Sequence, residues 1–256
     1  MSANAPFKTR LGPQNVFMDR FASEAKIQRA WKIRHATWFT LMAVGGATFV
    51  LSRALGLVEE LGTWLGIPVV EWVSFTTIAV GGVFLIDYLS KPWRIWRTFS
   101  NPRYSWITWG AFSDVVFLLC AGLLVLPGLE LGSSRPFAGL PWDSRADTAA
   151  GQVLLAIAII AAVFITLYAG AVLAAPRSIP YWHSLAVPLQ FMASGAATAM
   201  AVLLFLGVLQ NEQLTGRRFA LMALFIAILL GLIVWHLSTR RDAPGKSQSL
   251  EQLLRG

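Results

Sequence analysis

Six long apolar stretches, separated by polar segments, dominate the chain from residue 36 onward. A helix of about 20 apolar residues crosses the roughly 30 Å hydrocarbon layer of a bilayer, where lipid offers no partner to unpaired backbone groups. Each stretch is long enough to do so. The predicted spans are 36–58, 68–90, 107–129, 149–175, 181–210 and 219–239. The pattern therefore predicts an all-α integral membrane protein, folded as a six-helix transmembrane bundle.

The polar segments divide the chain into three predicted regions. Residues 1–35 form a cytoplasmic N-terminal segment, residues 36–239 form the transmembrane bundle, and residues 240–256 form a cytoplasmic tail. The connections between spans are short except at 130–148, where prolines, glycines and polar residues predict an extended loop. No stretch of the sequence is suited to a second, soluble domain.

Composition and charge agree with a membrane protein and set its orientation. The chain is 56% hydrophobic and 13% charged, whereas a typical soluble domain is about 25% charged. The net charge of +8 would suggest nucleic acid in a soluble protein. Here sixteen of the 21 Lys and Arg residues fall on the side of the two termini. Because positive residues flank cytoplasmic helix ends, we expect both termini to be cytoplasmic, in the inner membrane of a bacterium or archaeon.

The cysteine and histidine content limits the metal chemistry of the chain. Its single cysteine, Cys120, excludes an intramolecular disulfide, a cysteine-based zinc site and an iron–sulfur cluster held by this chain alone. His35 directly precedes the first predicted span, and His183 and His236 lie in two later ones, so no two have the spacing of a ligand pair. We therefore expect no metal in this chain, and any metal redox centre belongs to a partner.

Ionisable residues inside the spans are candidates for function, because a charged side chain costs about 2.5 to 3.5 kcal/mol to insert. With the N-terminus inside, several of them converge on the cytoplasmic half: His35, Asp87, Tyr88, Asp114, Tyr168, His183 and His236. A pocket of Trp, Tyr, His and carboxylate side chains suits a quinone head group, which needs hydrogen-bond donors and exchangeable protons. The predicted residues for quinone binding and proton exchange are His35, Trp38, Asp87, Tyr88, Asp114, Tyr168 and His183.

Each candidate has a structural alternative. The terminal histidines could face headgroup water, Asp87 could form a helix-end salt bridge with Lys91 or Arg94, and Asp114 could belong to a buried structural pair. On the opposite half, Arg53 and Glu71 could pair across the first two spans. Small residues in the first, second and fifth spans, such as Gly45, Gly81 and Gly195, are expected to let helices approach closely.

The second connection carries a motif, FLIDYLSKPWRIWRTFSNPRYSWITWGAF. It resembles the hallmark of the polysulfide reductase membrane-subunit family (NrfD-like), which includes the dimethyl sulfoxide reductase anchor proteins. That pattern has an Asp and a basic-Pro pair at a helix end, then Asn-Pro-x-x-Ser-Trp before a glycine. The matching residues are Asp87, Lys91, Pro92, Arg94, Asn101, Pro102, Ser105, Trp106 and Gly110. This sequence departs from the pattern at Tyr88-Leu89-Ser90, which adds one residue and replaces a glycine.

The motif also has a physical interpretation. Its prolines stop helix continuation, Asn101 can cap the next element, and its basic residues favour an acidic partner. The predicted partner-docking residues are Lys91, Arg94, Arg97, Asn101 and Arg103.

The resemblance implies a redox role. Such subunits anchor a ferredoxin-like iron–sulfur subunit and a molybdopterin-containing catalytic subunit, and exchange electrons with membrane quinone, either menaquinone or ubiquinone. The chain is then a subunit of a quinone-linked oxidoreductase and is not catalytic alone. The main rival is a proton-translocating or small-solute transporter subunit, with Asp87, Asp114, Glu71 and Arg53 as a relay. A structural anchor without a quinone site is the third possibility.

Overall fold

The computed structural model describes residues 33–88, 92–99, 105–142, 148–175, 182–210 and 216–239. The predicted N-terminal segment, apart from its last three residues, and the C-terminal tail lie outside these ranges. The described part contains six long helices. They are α1 (Ile33–Ala54), α2 (Val69–Tyr88), α3 (Trp106–Val125), α4 (Ala149–Ala174), α5 (Ala186–Leu209) and α6 (Gly216–Thr239).

Five of these helices, α2 to α6, are long and apolar enough to cross a membrane. Together they make the chain a multi-pass membrane protein. Helix α1 falls short of the same hydropathy because it carries polar side chains, among which His35, Thr48 and Ser52 are buried. It packs against α2, α4 and α5, so much of its surface faces protein rather than lipid.

Three predicted helix ends are wrong by four or five residues. Helix α1 ends at Ala54 rather than at 58 because Gly56 follows with a φ of +70°, which a right-handed helix does not allow. Helix α3 ends at Val125, where Leu126–Gly128 continue as a 3₁₀ turn containing Pro127. Helix α5 begins at Ala186 rather than at 181.

The connection between α1 and α2 holds a small hairpin that the hydrophobic pattern did not predict. Strands β1 (Thr63–Trp64) and β2 (Ile67–Pro68) pair antiparallel, and Gly66 in the turn has a φ of +76°. The amide of Val69 donates to the carbonyl of Gly62 at 3.0 Å. The hairpin thereby leads directly into α2.

The long connection after α3 is irregular, as predicted. Its described part, up to Trp142, contains turns and one isolated bridge between Leu131 and Ser134. The indole of Trp142 donates to the carbonyl of Leu123 at 2.8 Å, which holds the loop against α3. Helix α4 then begins after Thr148, whose hydroxyl accepts from the amide of Gly151.

Close helix contacts occur where the sequence places small residues. A Cβ on Gly46 of α1 would lie 2.6 Å from the carbonyl oxygen of Ala162 in α4, and one on Gly195 of α5 would lie 3.1 Å from Ala43. The distance at Gly46 leaves no room for a side chain, and the one at Gly195 is shorter than an ordinary van der Waals contact. The prediction that small residues allow close packing is confirmed at these positions, and α1 lies at the centre of the bundle.

Consecutive helices run in opposite directions, so their ends form two groups. The start of α1 shares one group with the end of α2, the start of α3, the end of α4, the start of α5 and the end of α6. We call this the His35 end. The opposite group includes Arg53, Glu71 and the hairpin, and we call it the Arg53 end.

Candidate functional site

Three predicted site residues come together near the His35 end, one from each of three helices. Trp38 lies on α1, Asp114 on α3 and Tyr168 on α4, with exposed fractions of 2%, 6% and 0%. The rings of Trp38 and Tyr168 are 6.0 Å apart between centroids, and the Asp114 carboxylate interacts electrostatically with Tyr168. We call these residues the Trp38–Asp114–Tyr168 cluster.

Gly110 shapes this cluster. It lies one helical turn before Asp114, and a Cβ at this position would meet the Tyr168 ring at 2.3 Å. The tyrosine ring is therefore packed directly on the backbone of α3. A glycine that the sequence offered only as a motif position thus has a packing reason in the structure.

The polar atoms of the cluster are buried without partners. The indole nitrogen of Trp38, both carboxylate oxygens of Asp114 and the hydroxyl of Tyr168 make no hydrogen bond within the described part of the chain. Buried polar groups in native proteins are nearly always hydrogen-bonded, and the exceptions often mark a functional site. Three such groups side by side indicate a site that handles a polar ligand or a proton.

The other predicted residues of this site differ in their exposure. His35 is buried at the start of α1, whereas Asp87 and His183 are exposed. The Nδ1 atom of His183 lies 2.7 Å from the carbonyl oxygen of Ala174, at the end of α4. Tyr88 is the last residue of α2, and its side chain lies outside the described part of the structure. The site therefore has a buried centre and candidate proton-exchanging groups at the surface of the same end.

The segment between α2 and α3 places aromatic and basic residues on the surface. Pro92–Phe99 form a 3₁₀ helix in which Trp93 and Trp96 are 72% and 61% exposed. The guanidinium of Arg97 lies 5.4 Å from the centroid of the Trp96 ring. Lys91, Asn101 and Arg103 lie outside the described residues, as does the side chain of Arg94.

This segment is fixed to the start of α3. The hydroxyl of Thr108 donates to the carbonyl of Thr98 at 2.6 Å, and the rings of Phe99 and Phe112 pack edge to face at 5.0 Å. Ser105, not Asn101, caps α3, because its hydroxyl accepts from the amide of Thr108. These contacts hold the end of the segment against the first two turns of α3.

A cavity that the sequence did not predict lies at the His35 end, between α4, α5 and α6. Its volume is about 290 Å³, and its lining includes Trp182, Gln190 and His236. His236 was noted among the converging polar groups, but Gln190 was passed over. An amide five residues into a predominantly apolar helix was the available signal.

Ion pairs join several of the described charges at the Arg53 end. The Arg53 guanidinium binds the Glu71 carboxylate, as predicted, and lies 3.6 Å from the centroid of the Phe49 ring. Arg218 of α6 binds Glu60 at 2.7 Å, and Arg135 binds Glu130. Within the described ranges, no three His, Cys, Asp or Glu residues lie close enough together to hold a metal ion.

The fold and these sites define a multi-pass helical membrane protein with a cluster of buried polar groups near the His35 end. The sequence model of the polysulphide reductase NrfD family matches residues 23–239, and the chain belongs to this family. Its members are membrane subunits of polysulfide reductase-type oxidoreductases and work with redox enzyme subunits. A comparison with curated proteins and one with solved structures found no match.

Proposed function

We propose that this protein is the quinone-reactive membrane subunit of a multi-subunit iron–sulfur oxidoreductase. It passes electrons between the membrane quinone pool, menaquinone or ubiquinone, and a ferredoxin-like iron–sulfur subunit that serves a molybdopterin catalytic subunit. The proposed location is the inner membrane of a bacterium or archaeon. All six helices cross the membrane, both termini are cytoplasmic, and the His35 end faces the cytoplasm.

The observation that carries this proposal is the Trp38–Asp114–Tyr168 cluster. Keeping a carboxyl group within a membrane helix costs about 2.5 to 3.5 kcal/mol, and no described cation offsets this cost at Asp114. A purely structural role would favour a hydrogen-bonded partner, as Glu71 has in Arg53. The lack of one supports a role in proton exchange.

The residues of the His35 end fit the needs of a quinone. When bound, a quinone supplies two-electron chemistry coupled to two protons. The Trp38 indole and the Tyr168 hydroxyl can donate hydrogen bonds, and the Asp114 carboxyl group can hold and release a proton. His35 and Tyr88 are proposed to take part in hydrogen bonding and proton transfer to the quinone. The exposed Asp87 and His183 are proposed to exchange protons with cytoplasmic water.

The surface segment before α3 fits a docking role. Arg97 and the exposed Trp93 and Trp96 lie on the same 3₁₀ helix, at the same end of the bundle as the cluster. Lys91, Arg94, Asn101 and Arg103 complete the proposed docking surface for the iron–sulfur subunit. A partner bound here would lie beside the proposed quinone site, which favours short electron-transfer distances.

The rival transporter hypothesis has less support. Its relay needs Arg53 and Glu71 as proton-carrying groups on the far side of the bundle. These two side chains instead bind each other, and Arg53 also donates to the carbonyl of Phe49 at 3.3 Å. A pair held in this way has a sufficient structural role.

The test is purification of the complex with its partner subunits, followed by measurement of bound quinone and of quinol-dependent reduction of the iron–sulfur clusters. We expect quinone to co-purify with the complex. His35→Ala and Asp87→Ala should each slow the reduction of the iron–sulfur clusters by quinol. Thr40→Ala, at an exposed position on α1, is the control. A complex without quinone and without quinol-dependent reduction would refute the function. Normal reduction in both variants would instead remove His35 and Asp87 from the site.

A further inference from the structure

The first two turns of α3 contact both the surface segment Pro92–Phe99 and the buried cluster. The end of the segment packs on this part of α3 through a hydrogen bond and an aromatic pair. The ring of Tyr168 packs on Gly110 of the same part, and Asp114 follows Gly110 one helical turn later. A movement of the start of α3 relative to α4 would therefore change the position of the Asp114 carboxyl group relative to the Tyr168 ring.

The hydroxyl of Thr108 makes the hydrogen bond between the segment and α3. Thr108 is 2% exposed, and its hydroxyl donates to the carbonyl of Thr98 at 2.6 Å. Thr76, Thr166 and Thr198 behave differently, because each donates to the carbonyl four residues earlier in its own helix. The Thr108 hydroxyl thus connects two separate elements, whereas the other three hydroxyls bond within the helix that carries them.

Aromatic side chains hold the same part of α3 on two sides. Phe112 of α3 packs edge to face on Phe99 of the segment. Trp106, the first residue of α3, stacks on Phe164 of α4 with 6.3 Å between the ring centroids. Phe164 lies one helical turn before Tyr168. The start of α3 is therefore packed between the segment and the part of α4 that carries Tyr168.

The contact between Gly110 and Tyr168 leaves α3 and α4 little freedom to move independently at this point. Glycine has no side chain that could rotate away, so the ring lies directly on the backbone of α3. Thr108 precedes Gly110 by two residues and Asp114 by six, which is about 9 Å along a helix. Close-packed protein interiors transmit displacements over such distances. A restraint applied at Thr108 therefore reaches the cluster.

We propose that Thr108 is a positioning residue that couples docking of the iron–sulfur subunit on Pro92–Phe99 to the placement of Asp114 beside Tyr168. The inference rests on the proposed function and adds a way in which the partner controls the site. The bound partner restrains the segment, and the hydrogen bond between Thr108 and Thr98 passes this restraint to α3. Proton exchange at the cluster is then favoured while the subunit that exchanges the electrons is bound.

The experiment follows Tyr168 by fluorine NMR in the full-length protein, labelled with 3-fluorotyrosine and held in lipid nanodiscs. The chain has four tyrosines, so the spectrum is simple, and Tyr168→Phe assigns the signal of Tyr168. The iron–sulfur subunit is added to saturation. In the wild type we expect the Tyr168 signal to shift when the partner binds. Thr108→Val keeps the size of the side chain but removes the hydroxyl, and it should abolish this shift while the partner remains bound.

Three further variants separate the hydrogen bond from general effects on folding. Thr108→Ser keeps the hydroxyl and should keep the shift. Phe112→Leu weakens the contact with Phe99 at a position that is 39% exposed, and it should reduce the shift without harming the fold. Thr198→Val removes an exposed hydroxyl that bonds within its own helix, so it should behave as the wild type.

The kinetics of the assembled complex provide a second readout. Thr108→Val should lower the maximal rate of iron–sulfur reduction by quinol about fivefold, the effect expected from one hydrogen bond. The quinol concentration that gives the half-maximal rate should stay the same, because Thr108 positions the cluster and does not bind the quinol. Thr108→Ser should restore the rate.

The outcomes distinguish the coupling from the function on which it rests. A wild-type Tyr168 signal that ignores the bound partner would overturn the coupling, as would a normal shift in both Thr108→Val and Phe112→Leu. Loss of the shift in Thr108→Ser would show that the hydrogen bond is not the cause and would also overturn it. A shift that depends on Thr108, in a complex that quinol does not reduce, would support the coupling and refute the quinone-linked function.

Discussion

The two ends of the bundle differ in whether their buried ionisable side chains have a charged partner. At the Arg53 end, Arg53 and Glu71 bind each other, and a cation–π contact to Phe49 adds to the pair. At the His35 end, Trp38, Asp114 and Tyr168 are equally well buried, yet their polar atoms have no hydrogen-bond partners in the described structure. Burial alone therefore does not distinguish the two sites, whereas pairing does.

The difference teaches where to look for function in a membrane bundle. Pairing offsets at least part of the desolvation cost of a buried charge, so a paired charge needs no role beyond structure. A buried polar group without a partner keeps its full desolvation cost, which indicates that the group has a functional role. The comparison predicts that mutations at the Arg53 end will change stability, and that mutations at the His35 end will change electron transfer.

The largest expected effect is at Asp114. Asp114→Asn keeps the shape of the side chain but removes its exchangeable proton. The rate at which quinol reduces the iron–sulfur clusters of the partner should therefore fall about 100-fold to 10,000-fold. The amount of assembled complex should stay the same, because the carboxylate makes no hydrogen bond within the described residues. Stopped-flow measurement of iron–sulfur reduction checks this prediction, with Ser113→Ala as the neighbouring control. A variant that assembles poorly but retains its rate would show that Asp114 is structural.

Glu71 is expected to show the opposite behaviour. Glu71→Gln leaves the buried Arg53 without its counter-charge, which should lower the stability of the subunit by about 3 to 5 kcal/mol. The fraction that remains folded should transfer electrons at the normal rate. Thermal unfolding of the detergent-solubilised complex measures the loss.

The double variant Arg53→Met/Glu71→Leu tests whether the pair has only a structural role. It should recover most of the stability lost in Glu71→Gln, because no unpaired charge remains. Recovery of stability together with loss of electron transfer would place this pair in the functional machinery and remove the contrast between the ends.

The sequence predicted the helices well because the physics of a span is local. About 20 consecutive apolar residues define it, and each predicted span coincides with an observed helix. The ends of the helices were less predictable, because a turn at Gly56 or Pro127 depends on a few residues within an apolar run. The Arg53–Glu71 pair was predictable because both residues lie near the same connection.

The site was predictable only in part because it depends on how helices rotate about their axes. The sequence grouped His35, Asp87, Asp114, Tyr168 and His183 by depth, but depth cannot tell which side chains point inward. The structure places Asp114 inside and Asp87 at the surface. The cavity between α4, α5 and α6 was not predicted for a related reason. Its walls come from three helices whose contacts no local pattern encodes.

Tyr168 allows the comparison between the two ends to be tested by removal of a single hydroxyl group. Tyr168→Phe removes one hydroxyl that has no hydrogen bond within the described residues, so stability should stay the same or rise slightly. If the hydroxyl serves the site, quinol-dependent reduction should fall about tenfold. Parallel unfolding and rate measurements decide between the two roles. A clear loss of stability with an unchanged rate would make Tyr168 a packing residue.

The smallest expected effect concerns two exposed arginines, Arg97 at the His35 end and Arg135 in the loop at the Arg53 end. Arg97→Glu reverses a charge on the proposed docking surface, so the iron–sulfur subunit should bind several-fold more weakly, with the difference fading at high salt. Arg135→Glu should have no effect on that binding, because its exposed pair with Glu130 contributes little and lies on the other side of the bundle. Titration of the partner at low and high ionic strength measures both variants. Equal weakening would mean that overall charge, rather than a surface at the His35 end, governs docking.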